Sequence, residues 1–215
     1  IYNEDGSKVI TFNGEIYNYQ TLREELIAAG HTFTTKSDTE VLLHGYEQWG
    51  VDLLQRVRGM FTFVIWDKNK QELFGARDHF GIKPFYYAKM NGTFMYASEI
   101  KSLLRHPDFV KELNAEALKP YMTFQYPAIG ETFFKGVYKL PEGHYFTYRD
   151  GKMDIHRYYD EDFREGKQKL GELVNSIDQT VCDSVKAHQI ADVEVGSFLS
   201  SGVDSSYVAA VARPQ

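Results

Sequence analysis

The chain has 215 residues, of which 43% are hydrophobic and 15% aromatic. That is enough apolar side chain for one large domain, or one domain and a piece of another, and too much for a disordered chain. A net charge of −6 and a pI near 5.7 argue against non-specific nucleic-acid binding, and no apolar run approaches the roughly 20 residues that a membrane span needs. Cys182 is the single cysteine, which rules out an internal disulfide and fits a reducing, cytoplasmic setting.

The first residue is Ile1 rather than Met, and IYNEDGSK reads as a strand end and a turn, so the natural start is expected upstream. In KVITFNGEIYNY, residues 8–19, two β-rich runs flank Asn13-Gly14, which predicts a two-residue hairpin. A helix is predicted over about 19–29, with Leu22, Leu26 and Ala29 on one face and Gly30 as its stop. SDTEVLLHGYEQWG predicts a second helix with Ser37 and Glu40 as a capping box, Val41, Leu42, Tyr46 and Trp49 as its apolar face, and Gly50 as its end. Four strands follow: MFTFVIWD and QELFGARD around a Lys-Asn-Lys turn, then KPFYYAK and TFMYAS around Asn91-Gly92. Their apolar and aromatic runs lack clean alternation, so both faces should be covered. Short helices are expected near Ser98 and Asn114, and two more strands around Asp150-Gly151. Strands, helices and many hairpins together indicate an α+β layered domain.

Residues 160–169, DEDFREGKQK, are charged and poor in large apolar groups, which reads as a linker. Beyond it Leu170, Leu173, Val174, Ile177, Val181 and Val185 recur at helical spacing. VEVGSFLS is expected as a short buried strand, SSGVDSS as a small-residue loop, and SYVAAVA as the opening of a helix. Strand, loop and helix in that order begin a doubly wound α/β domain, expected to continue past Gln215 because one strand and one helix cannot bury their own faces.

Two segments carry chemistry. At residues 200–206 the small-residue loop meets a helix N-terminus, where backbone N–H groups favour an anion. Ser200, Ser205 and Ser206 could add hydrogen bonds to phosphate oxygens, and Asp204 could hold a magnesium ion. A plain turn with Ser and Asp as caps accounts for the same residues, and the sequence leaves the two open. Asn13-Gly14-Glu15 is either a hairpin turn or a pair of donors, one amide and one N–H, forming an oxyanion hole for acyl transfer. Asp38 is either a first-turn acid complementing the helix dipole or a ligand for a cationic group. Arg77 and Asp78 read as an ion pair beside a turn shaped by Gly81 and Pro84, and His79, Lys101 and Cys182 as structural or surface residues.

NGEIYNY, SDTEVLLHGYEQWG, RDHFGIKPFYY, RGMFTFVIWD, ASEIKSLL and LPEGHYF resemble class II glutamine amidotransferases. FLSSGVDSS resembles the pyrophosphate loop of N-type ATP pyrophosphatases, with Ser201 where that family has its first glycine. A glycine there would permit φ > 0 or a close phosphate approach. The order of the two parts resembles the asparagine synthetase family.

The resemblance implies an N-terminal-nucleophile hydrolase-like four-layer αββα sandwich over residues 1–160, a linker over 161–169, and the first strand and helix of an α/β ATP-pyrophosphatase domain over 170–215. It implies that Asn13 and Gly14 stabilise the tetrahedral intermediate and, with Glu15 and Asp38, bind glutamine. It likewise implies that Leu199, Ser200, Gly202, Val203, Asp204, Ser205 and Ser206 hold ATP or pyrophosphate, Asp204 with Mg²⁺. The nucleophile would be an amino-terminal cysteine upstream of Ile1, absent here together with the arginine that grips the substrate carboxylate, so the chain as written should not hydrolyse glutamine. The implied reaction of the whole enzyme is amidation of aspartate with ammonia from glutamine, driven by cleavage of ATP to AMP and pyrophosphate, in a cytoplasmic and often dimeric protein. The rivals are a β-lactam synthetase-like enzyme that adenylates another carboxylate, and a non-catalytic module binding glutamine or nucleotide.

Overall fold

The computed structural model describes residues 1–126, 130–191 and 193–213, which form two compact units, residues 1–160 and 161–215. In the first, α1 (Tyr19–Ala28) and α2 (Asp38–Trp49) pack on a five-stranded antiparallel sheet in the order β1-β2-β3-β7-β8. Its strands are β1 (Lys8–Ile16), β2 (Gly59–Asp67), β3 (Glu72–Arg77), β7 (His144–Arg149) and β8 (Lys152–Arg157). A second antiparallel sheet has the order β5-β4-β6, from β4 (Tyr86–Met90), β5 (Thr93–Ala97) and β6 (Val137–Lys139). α3 (Ile100–Leu103) and α4 (Leu118–Phe124) follow β5.

Strand alternation explains the layering. Phe61, Phe63 and Ile65 of β2 pack with Leu22, Leu26, Val41 and Leu42 of the helices, whereas Val64 faces the other way and joins Phe85, Leu140 and Phe146 between the sheets. A third cluster, Ala88, Met90, Met95 and Val137 with Leu103 of α3, covers the outer face of the smaller sheet. The result is helix, sheet, sheet, helix, with the central strands covered on both faces as their unbroken apolar runs predict.

The hairpins at Asn91-Gly92 and Asp150-Gly151 form as expected. Met90 pairs with Thr93 and Arg149 with Lys152, and all four turn residues have the positive φ of a type I′ turn, 50° and 83° in one and 51° and 75° in the other.

Several expectations are corrected. Asn13-Gly14 is not a turn: β1 runs straight through it, with Asn13 opposite Thr62 and Gly14 opposite Phe61. The runs on either side pair with β2 instead of with each other. Glycine is required there by proximity, because a Cβ would stand 2.1 Å from the Met60 carbonyl oxygen. Ala29 is exposed rather than part of the α1 face.

The capping box on α2 is only half made. Ser37 Oγ accepts from the Thr39 N–H at 3.1 Å, but the Glu40 carboxylate turns to the preceding loop and accepts from the backbone and hydroxyls of Thr34 and Thr35 at 2.5 to 2.9 Å. Burial pushes the Glu40 carboxyl pKa up, but these four hydrogen bonds outweigh it and hold it below its ordinary value.

Arg77 and Asp78 do not pair with each other. The buried Arg77 guanidinium donates to the carbonyls of Lys83, Leu140 and Gly81 at 2.6 to 2.7 Å. The Asp78 carboxylate accepts the N–H groups of Phe61, Phe80, Ile82 and Lys83. Two buried charges thus tie one six-residue turn to β2 and to Leu140, just after β6. Tyr158 closes the cluster by donating its hydroxyl to the Arg77 carbonyl at 2.8 Å, and burial raises its pKa further than the Asp78 charge does. His79 lies against Tyr158 and Tyr159, consistent with a structural role, and Lys101 is on the surface paired with Glu99.

In the second unit α5 (Leu170–His188) and α6 (Val203–Ala212) form, but residues 193–200 are not a buried strand: Val193, Val195, Phe198 and Leu199 are exposed. A strand is held by a neighbour, and among the described residues this unit offers none. Cys182 is a free, half-buried thiol within α5.

Candidate active site

β1 is the edge strand of the larger sheet, and the direction of its N–H groups follows from the ladder. Lys8 N–H donates to Asn3 Oδ1 at 2.9 Å, Ile10 N–H to the Ile1 carbonyl at 2.9 Å, and Ile16 N–H to Asp38 Oδ2 at 3.1 Å. The even-numbered residues of β1 therefore point their N–H groups away from β2, and Gly14 lies on the open stretch between these partners. Asn13 and Glu15 project from one face of the same strand. Asn13 Nδ2 donates to Ser98 Oγ at 2.9 Å, and Thr11, two residues earlier, meets the Tyr96 hydroxyl at 3.2 Å. A cleft of about 150 Å³ runs here between the two sheets, lined by Thr11, Asn13, Thr62, Tyr96 and Ser98. The Asn13 amide is exposed rather than sealed in the core.

Asp38 lies 22 residues from Ile16 in sequence, yet its carboxylate meets the same outer edge. It does so because α2 packs on β1 with its first turn at the strand's C-terminal end. Asn13, Gly14, Glu15 and Asp38 thus come together along one strand edge. Sequence reasoning gave Ser98 no site role, although it lies in the ASEIKSLL motif and at the start of an expected short helix. It also missed Asn18, which fastens the start of α1 by donating to the Arg56 carbonyl and accepting from the Arg58 N–H.

The residues of the second motif lie in the other unit. Ser200 and Ser205 share a hydroxyl contact of 3.0 Å, Ser205 Oγ donates to the Gly202 carbonyl, and α6 begins at Val203 without a side-chain cap, so Ser and Asp are not its caps. Leu199, Val203 and Asp204 are exposed. Ser201 has φ 62°, a conformation that disfavours an L side chain. Replacing Ser201 with glycine removes that strain, about 1–2 kcal/mol, but adds unfolded-state freedom of about 0.5–1 kcal/mol. Ser201→Gly is therefore expected to stabilise the second unit by roughly 0.5–1 kcal/mol, read as a raised denaturant midpoint. An unchanged midpoint would mean that the serine backbone is not held left-handed in solution.

The stacking of helix, sheet, sheet and helix is the N-terminal-nucleophile hydrolase-like sandwich. The glutamine amidotransferase domain family matches residues 1–159 and the asparagine synthase family residues 176–215. The chain belongs to the glutamine amidotransferase domain family.

Its curated relatives include the glutamine-hydrolysing asparagine synthetase 1 of Bacillus subtilis, 46% identical over 211 residues, which span 98% of this chain and 33% of that protein. A putative asparagine synthetase of Mycobacterium tuberculosis is 42% identical over 218 residues, 95% of this chain and 33% of that one. The amidase chry2 of Gibberella zeae is 33% identical over 217 residues, 97% and 31% respectively. The chain thus spans about a third of the length of the relatives it matches. Among solved structures, the glutamine phosphoribosylpyrophosphate amidotransferase of B. subtilis is similar in fold, with TM-score 0.51 and 19% identity, over 99% of this chain and 45% of that one. Among the described residues no helix is long and apolar enough to cross a membrane.

Proposed function

We propose that residues 1–160 are the larger part of a glutaminase domain, that 161–169 link it to the next domain, and that 170–215 open the ATP-pyrophosphatase domain of an asparagine synthetase. The reading is supported above all by one juxtaposition: an outward-facing Gly14 N–H and an exposed Asn13 amide on the same edge strand, with Asp38 at its end. Asn13 Nδ2 and Gly14 N–H stabilise the oxyanion that forms when a thiol attacks the glutamine side-chain carbonyl. Asp38 binds the substrate's α-ammonium, and Glu15 contributes to glutamine recognition. In this reading the attacking thiol is that of an amino-terminal cysteine, whose own α-amine takes the proton.

Ammonia released there aminates an aspartate carboxylate activated as its adenylate. The loop at 199–206 then holds pyrophosphate through Leu199, Ser200, Gly202, Val203, Ser205 and Ser206. If Mg²⁺ accompanies ATP, Asp204 is the residue to hold it. We place the enzyme in the cytoplasm, without nucleic-acid or membrane partners; pairing of two copies is a matter for the oligomeric state of the intact protein.

The test uses the intact protein. Asn13→Ala is expected to lower kcat for glutamine hydrolysis by about 10²–10³-fold, while asparagine formation from free ammonium, aspartate and ATP continues. Undiminished glutamine hydrolysis in that variant would overturn the oxyanion role. Failure of the wild-type protein to form AMP from ATP and aspartate would overturn the synthetase role separately.

A further inference from the structure

Away from the strand edge, α2 and the loop before it gather a second polar cluster. His31 Nδ1 lies 3.8 Å and His44 Nδ1 2.9 Å from the same oxygen, Glu47 Oε2. The other Glu47 oxygen is engaged elsewhere, accepting from Asn3 Nδ2 at 2.7 Å and lying 3.4 Å from Lys8 Nζ. The far side of each ring also faces an acceptor. His31 Nε2 is 3.0 Å from Gln48 Oε1, and His44 Nε2 is 3.7 Å from Glu40 Oε1. His44 is 1% exposed and its Nε2 makes no hydrogen bond.

One internal hydrogen bond between His44 and Glu47 does not explain this arrangement. It leaves His31 unaccounted for, and it aims two Nδ1 atoms at a single carboxylate oxygen. A cation between them would use all three atoms. A histidine that binds a metal through one nitrogen typically donates its other N–H to a carboxylate or carbonyl oxygen, and for His31 the Gln48 side-chain oxygen stands there.

We infer that His31 Nδ1, His44 Nδ1 and Glu47 Oε2 form a binding site for a divalent transition-metal ion of the zinc class, separate from the glutamine site. The ligand atoms lie within 4.8 Å of one another, against about 3.3 Å in a tetrahedral zinc site, so closure requires rotation of His31 and Glu47, both only partly buried. Two imidazoles and a carboxylate form a donor set suited to zinc or cobalt rather than to magnesium. Glu4 Oε2, 3.9 Å from His44 Nδ1, is available as a fourth ligand. The cation would fasten the 31–35 loop to α2, and α2 carries Asp38 at its other end.

The experiment is calorimetric titration of the chelator-treated 215-residue chain with Zn²⁺, repeated with Co²⁺ while visible absorption is followed. The expected result is one equivalent bound at micromolar or lower concentration, with cobalt bands of low-coordinate N/O geometry. His31→Ala should abolish this uptake, Glu47→Gln should weaken it strongly, and Gln48→Ala should weaken it by about 10–100-fold. His31 is on a loop and partly exposed, so that variant stays informative if Glu47→Gln, which also loses contacts to Asn3 and Lys8, fails to fold. Absence of uptake by the wild-type chain, or wild-type affinity in a folded His31→Ala chain, would overturn the assignment.

Discussion

Asp78→Ala is expected to destabilise the first unit by about 3–5 kcal/mol, because several backbone donors lose their acceptor at about 1–3 kcal/mol each. The carboxylate is fully buried and accepts four backbone N–H groups, from Phe61 at 3.2 Å, Phe80 at 3.1 Å, and Ile82 and Lys83 at 2.9 Å each. Each donor left without a partner costs about 1–3 kcal/mol where water cannot replace the carboxylate. The Phe80 and Ile82 side chains are exposed, so water can reach that part of the turn, and the four terms do not simply add. Phe61 is buried in β2, and its N–H is the donor that stays orphaned. Arg77 is affected as well, since its guanidinium is aimed at the carbonyls of Gly81 and Lys83, which the carboxylate holds in place. Asp78→Asn keeps one acceptor and should cost roughly half as much. The measurement is the urea midpoint at constant slope. A loss below about 1 kcal/mol would mean that solvent replaces the carboxylate throughout.

Gly14→Ala is the second large effect, expected at about 3 kcal/mol, the upper end for overpacking. The new methyl would stand 2.1 Å from the Met60 carbonyl oxygen and 2.7 Å from Phe61 Cα. Both are backbone atoms, so no side-chain rotation relieves the contact. β2 cannot retreat, because it is paired on its other side with β3 through Thr62 and Arg77. The strands must therefore part, and the Gly14 N–H moves with them. In the intact protein, glutamine hydrolysis should fall together with stability. Gly92→Ala is the control: Gly92 has φ 83° and nothing within 4 Å of the added methyl, so only the conformational cost of about 1 kcal/mol applies. Equal losses at the two sites would show that β1 and β2 are farther apart in solution than the structure has them.

The residues themselves determined whatever depends on neighbours a few positions away. Asn91-Gly92 and Asp150-Gly151 turn because both residues accept positive φ and the runs beside them pair with each other. Ser37 caps α2 because its hydroxyl needs only the next turn of the same helix. The family motifs were legible for a similar reason, since their residues are contiguous.

Tertiary structure decided the rest. Asn13-Gly14 has the composition of a hairpin, but β2 supplies a longer apolar partner, so the chain passes straight through and its glycine makes room for another strand's carbonyl. Glu40 left its helix cap because Thr34 and Thr35 offered four donors against one. Arg77 and Asp78 are neighbours in sequence whose charges serve the same turn without touching, and no local pattern distinguishes that from an ion pair. Residues 193–200 have strand composition but no strand, because a β ladder is a property of two segments. Asn13 meets Ser98, and Ile16 meets Asp38, across 85 and 22 positions of chain. Backbone preference is set within a few residues, but pairing and convergence depend on which distant segment arrives, and only the packed fold specifies that.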